Sequence, residues 1–148
     1  MNNFVKWWLP VFAWMGAVFI GSSIGSLPRV GDEATDGFVH RAAHVIEFAA
    51  LGALTLRALS KGQPVTKREM IVTLIVVALY GVSDEIHQRF TPGRSSEGTS
   101  VLFDVAGGLI GVWAYRVWRR HISRAAVRQR TGEPASQRAN VAMPDPES

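Results

Sequence analysis

Two histidines and a glutamate recur at helical spacing in the second apolar segment of the sequence. His40, His44 and Glu47 stand at positions i, i+4 and i+7, so that they share one face of a helix. An imidazole beside a carboxylate can exchange protons near neutral pH, because the carboxylate stabilises the protonated ring and orients its tautomer. This face therefore predicts general acid–base chemistry.

A second set of ionisable residues ends the third apolar segment, in the sequence YGVSDEIHQRF. The helical turn of about 100° per residue places Tyr80, Asp84, His87 and Gln88 on one face, with Glu85 pointing about 100° away from Asp84. The third segment thus supplies another imidazole and further carboxylates.

Asp104 supplies a carboxylate near the start of the fourth apolar segment. Gly107, Gly108 and Gly111 follow it at i+3, i+4 and i+7, which predicts that Asp104 lies on the closely packed face of its helix. Counting about 1.5 Å per residue inward from the outer ends of the spans, we expect these acidic and histidine side chains within roughly 9 Å of one membrane surface.

Arg94 and Ser95 stand in the polar turn TPGRSSEG between the third and fourth segments. A guanidinium presents five donors in a fork that suits a phosphate or a carboxylate, and the Ser95 hydroxyl adds a further polar group. We predict that Arg94, Ser95 and Gln88 bind the substrate. The alternative for Arg94 is a salt bridge to Glu97 or Asp104 that shapes the loop.

These acidic and histidine residues together have three interpretations. As an active site, it would use His44 and His87 as acid or base, and the predicted catalytic residues are His44, Glu47, Asp84, Glu85, His87 and Asp104. As a metal site, the ligands would come from His44, Glu47, Asp84 or Glu85, and His87. As structural glue, the same groups would only hydrogen-bond the helices together, at about 0.6 kcal/mol each. Since a charge at the centre of a membrane helix costs about 2.5 to 3.5 kcal/mol, a cluster of this size favours a functional site.

Four apolar segments are long enough to cross a bilayer as helices, at 7–24, 42–59, 71–90 and 101–118. With a rise of about 1.5 Å per residue, each extends roughly 27 to 30 Å. Stretches such as IVTLIVVALYGV are apolar on all sides, which disfavours a soluble helical bundle. We therefore predict an all-α polytopic membrane protein, built as a bundle of four transmembrane helices.

The distribution of Lys and Arg predicts how this bundle is oriented. The N-terminus, the second connection and the C-terminal tail carry 12 of them, whereas the first and third connections carry 4. Positive residues collect on the cytoplasmic side, so that both termini are predicted to be cytoplasmic and the acidic and histidine residues to lie near the outer surface. Residues 1–120 are the predicted transmembrane domain, and 121–148 a basic, disordered tail that contacts anionic lipid headgroups.

Composition narrows the possible chemistry. The 148 residues contain no cysteine, which excludes disulfides and thiolate metal sites. The net charge of +4 comes with arginines that follow an apolar helix, where anionic lipid is the expected partner and nucleic acid is not. We predict no bound cofactor.

The order of motifs along residues 20–112 resembles the VanZ-like membrane protein family. The resemblance rests on Ser22-Ser23 with Leu27-Pro28, on His44-x-x-Glu47-x-x-x-Leu51-Gly52, on Asp84-Glu85-x-x-Gln88-x-x-x-Pro92-Gly93-Arg94, and on Asp104 with Gly107 and Gly111. It implies a multi-pass protein of the inner (plasma) membrane and the cell envelope. One branch of the family is linked to resistance against the glycopeptide antibiotic teicoplanin, but the resemblance implies no particular reaction.

Three functions follow from the residues and the resemblance. The first is a cell-envelope protein whose outer-leaflet cluster binds or modifies a lipid or a lipid-linked headgroup, such as an envelope precursor. The second is a non-catalytic binding or accessory protein that lowers the access of a glycopeptide. The third is a proton-linked transporter, which is disfavoured because no acidic residue stands at mid-membrane. Whether the protein is an enzyme stays open at this point.

Overall fold

The computed structural model of the protein describes residues 2–24, 32–92 and 100–131, and at 33–34 and 126–131 it describes the backbone alone. Four α-helices follow one another, α1 at Asn3–Ser23, α2 at Glu33–Ser60, α3 at Lys67–Arg89 and α4 at Ser100–Thr131. No strand occurs within these described ranges. The all-α fold class predicted from the sequence is confirmed.

Each of the four helices is long and apolar enough to cross a membrane, over Asn3–Ser23, Thr35–Ser60, Lys67–Arg89 and Ser100–Ala125. Many large apolar side chains are exposed on the outside of these helices, among them Ile20, Ile46, Leu79 and Leu102. Apolar surface of this extent is typical of helices surrounded by lipid. The chain is therefore a multi-pass membrane protein.

A capping residue starts α2 earlier than position 42, where the predicted span begins. The Asp32 carboxylate accepts a hydrogen bond of 3.0 Å from the Thr35 N–H and thereby caps the first turn. Hydrogen bonds from the side chain and the backbone of Thr35 hold the pKa of Asp32 below its ordinary value of 3.8. With this cap, α2 begins at Glu33 and includes residues 33–41.

The end of α4 corrects the prediction of a disordered tail over 121–148. The helix continues to Thr131, because the residues that follow His121 include good helix formers such as Ala, Arg and Gln, and no glycine or proline occurs before Gly132. Residues 132–148 lie outside the described part. The chain divides into two compact units, Met1–Arg116 with the helix bundle and Val117–Ser148, whose described part is the end of α4.

Glycines bring α4 against α2 over backbone atoms. A Cβ on Gly107 would collide with the carbonyl oxygen of Val45, and a Cβ on Gly111 would collide with that of Ala49. Backbone atoms cannot turn aside as the end of a flexible side chain can, so only glycine permits this approach. The approach carries Asp104, one turn before Gly107, against α2.

Buried apolar side chains of the first three helices form one core. Its members are Val11 and Val18 of α1, Phe48, Leu51 and Ala58 of α2, and Val77 of α3. This core holds α1, α2 and α3 together and thereby determines which of their polar residues face one another.

Candidate functional site

A histidine of α2 and an aspartate of α4 form the centre of the site. His44 Nδ1 lies 2.9 Å from Asp104 Oδ1, and the side chains are 13% and 1% exposed. Because a carboxylate accepts, the Nδ1–H of His44 donates to it, which leaves the Nε2 lone pair for an incoming proton.

The site has room for the Asp104 carboxylate because α3 carries a glycine opposite it. A Cβ on Gly81 would stand 2.9 Å from Asp104 Oδ2, which is too close for two atoms that are not bonded. Three helices therefore define the position of this carboxylate: α4 carries it, α2 binds it and α3 leaves space for it.

A hydrogen-bonded group of three buried residues connects α3 with α1. Gln88 Nε2 donates to Asp84 Oδ2 at 2.8 Å and to Ser22 Oγ at 3.5 Å. Asp84, Gln88 and Ser22 are all buried. The amide of Gln88 thus uses its donors inside the bundle to orient one oxygen of Asp84.

The second histidine predicted as acid or base, His87, contacts α1. Its Nε2 lies 2.9 Å from Ser23 Oγ, and its ring stacks on Phe19 with centroids 4.3 Å apart. Since the Ser23 hydroxyl donates to the carbonyl oxygen of Phe19 at 2.7 Å, its oxygen accepts from the Nε2–H of His87. Of the two histidines, only His44 has a hydrogen bond to a carboxylate within the described ranges.

Glu85 is buried beside Asp84, with 5% and 3% of their surfaces exposed. Glu85, predicted as a catalytic residue about 100° around the helix from Asp84, is thus buried as Asp84 is. Other helices pack against more than one side of α3, so that its buried residues, Thr73, Val77, Gly81, Asp84, Glu85 and Gln88, cover a face wider than a single stripe. Glu85 lies in this wider interior.

The predicted acidic residues come together around the His44–Asp104 pair. Glu47 follows His44 by one turn of α2. On α3, Asp84 follows Gly81, which lies against Asp104, by one turn, and Glu85 is buried next to Asp84. The structure thus joins His44 and four carboxylates into one group, which we call the polar cluster.

Further hydrogen bonds attach α1 to the helices that carry the polar cluster. Trp14 Nε1 donates to the carbonyl oxygen of Glu47 at 2.9 Å, and the Tyr80 hydroxyl donates to the carbonyl oxygen of Met15 at 2.6 Å. These bonds hold the α2 and α3 backbones at the level of the site.

His40 lies outside the polar cluster although it precedes His44 by one turn. Its Nδ1 lies 2.8 Å from the carbonyl oxygen of Asp36 on the same helix, and its side chain is 35% exposed. Of the two histidines predicted on this helix face, only His44 belongs to the polar cluster.

Two predicted substrate-binding residues, Arg94 and Ser95, belong to 93–99 and lie outside the described residues. Within the described ranges, no group of three or more histidine and acidic side chains is arranged to hold a metal ion. Sequence reasoning did not include Ser22 and Ser23 among the site residues. Two serines at the end of an apolar span were the available signal.

One family model, described as VanZ/LLP1, matches residues 4–119 of this sequence. The chain belongs to the VanZ/LLP1 family. No curated protein and no solved structure matches it. The match reaches from α1 into α4, so that every predicted site residue of this VanZ/LLP1 protein falls inside the matched range. The resemblance seen in the sequence motifs is thereby confirmed.

Proposed function

We propose that this VanZ/LLP1 protein binds or modifies a lipid or a lipid-linked headgroup at the polar cluster. The observation that carries the proposal is the 2.9 Å contact between His44 and Asp104, together with Asp84 and Glu85 buried in the same bundle of membrane helices. Ionisable groups inside membrane helices are costly and mark binding or reaction sites.

The position of the polar cluster along the helices supports a headgroup as the ligand. Asp84 lies in the last two turns of α3 and Asp104 lies in the second turn of α4, so that both stand near the ends of their helices. Lipid headgroups occupy this depth, while acyl chains can lie along the exposed apolar side chains. From the excess of Lys and Arg at the other end, we place the site at the outer leaflet of the inner membrane, with both termini cytoplasmic.

The chemistry proposed for the site assigns separate roles to its residues. His44 accepts or delivers a proton at Nε2, and Asp104 orients its ring through Nδ1. Arg94, from the connection between α3 and α4, holds an anionic group of the ligand with its guanidinium. If the ligand is a lipid-linked envelope precursor, this activity would also connect the protein with resistance to a glycopeptide.

Mass spectrometry of lipids that co-purify in mild detergent tests the binding part of the proposal. We expect one headgroup class to be enriched over its share of the membrane extract, and Arg94→Ala to abolish the enrichment. His40→Ala is the matched control, because His40 bonds to its own helix, and it should retain the lipid. A co-purified mixture equal to the bulk membrane lipid would contradict the proposal.

The catalytic part of the proposal needs a variant that binds but does not turn over. His44→Asn keeps an N–H donor for Asp104 but takes up no proton, so it should accumulate in the membrane and retain the same headgroup class, while the modified lipid found with the wild type disappears from the extract. If wild type and His44→Asn yield identical lipids, the protein binds without catalysis.

A further inference from the structure

Three buried carboxylate oxygens on α3 have no hydrogen-bond partner among the described residues. They are Oδ1 of Asp84 and both oxygens, Oε1 and Oε2, of Glu85. The two side chains are at least nine-tenths buried, with 3% and 5% exposed. Buried polar groups are rarely left unpaired in native structures, and an unpaired one indicates a missing ion, water or ligand.

The polar groups around these oxygens are engaged elsewhere. Gln88 donates to Asp84 Oδ2 and to Ser22, the Nδ1 of His44 donates to Asp104, and the Nε2 of His87 lies at Ser23. None of these hydrogen bonds ends on Glu85. The three oxygens are acceptors, so that what they lack is a donor, and two adjacent carboxylates in an apolar interior also lack a positive charge.

A primary ammonium group supplies both the missing hydrogen-bond donors and the missing positive charge. It carries one positive charge on a small centre with three N–H donors, and the number of unpaired oxygens is also three. A hydroxyl brings a single donor without charge, and a quaternary trimethylammonium brings charge without any donor. Of these three kinds of headgroup, only the primary ammonium brings both the donors and the positive charge.

We infer that the headgroup bound at the polar cluster carries a primary ammonium, held by Glu85 and by Oδ1 of Asp84, as in a phospholipid with an ethanolamine headgroup. This inference rests on the proposed function and names its ligand class. Glu85 then contacts the ligand directly.

Competition between two lipids tests the inference on the full chain. Phosphatidylethanolamine and phosphatidylcholine with identical acyl chains share the phosphate and the net charge, but only the former has N–H donors. With an equimolar mixture in nanodiscs, native mass spectrometry should find the ethanolamine lipid bound about tenfold more often than the choline lipid. Equal retention of the two by the wild type would overturn the inference.

Glu85→Gln tests whether Glu85 binds the ammonium group as a charged carboxylate or is only a neutral buried acid. Glutamine has the shape of a protonated glutamate but no charge, so that the preference for the ethanolamine lipid should fall to near unity. Glu69→Gln is the matched control on the same helix, because Glu69 belongs to the capping box at the other end of α3, where glutamine also caps. A preference that persists in Glu85→Gln would show that Glu85 only holds a proton, and would overturn the inference.

A third lipid distinguishes failure of the inference from failure of the proposed function. Phosphatidylglycerol has the phosphate without any ammonium. If it is retained better than both other lipids, headgroup binding stands and the ammonium assignment fails. If the wild type retains none of the three above the control level of an unrelated four-helix membrane protein, the proposed function fails with it.

Discussion

His44 on α2 and Asp104 on α4 are 60 positions apart in the chain, and their side chains meet at 2.9 Å. Two features of the backbone make this contact possible. Gly107 lets α4 approach the carbonyl oxygen of Val45, and Gly81 leaves space for the second carboxylate oxygen of Asp104. The contact therefore depends on the packing of α2, α3 and α4 against one another.

Loss of His44 should destabilise the bundle. His44→Ala leaves the Asp104 carboxylate buried without its donor, and breaking a buried pair in this way costs about 3 to 5 kcal/mol of the free energy of unfolding. Unfolding in detergent, followed by circular dichroism, measures the change. His40→Ala should cost far less, and the double variant of His44 and Asp104 to Ala should recover part of the loss. Equal unfolding of His44→Ala and His40→Ala would contradict the pairing.

Enlarging a glycine of α4 should separate the helices. Gly111→Ala places a Cβ against the carbonyl oxygen of Ala49, and overpacking of this kind costs about 1 to 3 kcal/mol of the free energy of unfolding. Gly16→Ala in α1 is the matched control, because a Cβ there meets no atom within 4 Å. The melting temperature of the purified protein compares the two. If Gly111→Ala melted no lower than Gly16→Ala, the close approach of α2 and α4 would be refuted.

The orientation of the bundle can be measured with single cysteines, since the native sequence has none. A cysteine replacing Arg94 should react with a membrane-impermeant maleimide applied to intact cells, because the connection between α3 and α4 is predicted to be external. A cysteine replacing Gly62 should react only after the membrane is opened. Equal labelling of the two positions from outside would place the polar cluster elsewhere than at the outer surface.

The first turn of α2 should respond to pH through Asp32. Its pKa in the folded protein lies below the ordinary value of 3.8, because Thr35 hydrogen-bonds the carboxylate. The cap is therefore complete above the ordinary pKa and is lost as the pH falls through the lowered one. The amide signal of Thr35 in an NMR titration should move with a midpoint below 3.8.

Asn at position 32 provides the control for that titration. Asp32→Asn keeps an N-cap acceptor but has no proton to gain, so that the Thr35 signal should stay constant over the same pH range. A wild-type midpoint at or above the ordinary value would show that the carboxylate does not cap α2.

Local properties of the sequence were sufficient to predict four membrane helices and the acidic and histidine residues that their interior holds. Hydrophobic length and helical period depend on neighbours in the chain, and they identified the third span and placed Asp84 and Gln88 on one face. The end of α4 was also a local matter, since the helix formers beyond His121 continue it to Thr131. The prediction of a disordered tail from residue 121 followed instead from the polar composition of that segment.

Tertiary structure decided which polar groups meet. The pairing of His44 with Asp104, the bonding of His87 to Ser23 and the burial of Glu85 all join or enclose residues through helix packing. No spacing within one segment contains that information, because the approach of two helices depends on side-chain volumes on both. The sequence by itself determined the four apolar helices that carry these residues, and only the packing at Gly81, Gly107 and Gly111 decided how they are paired.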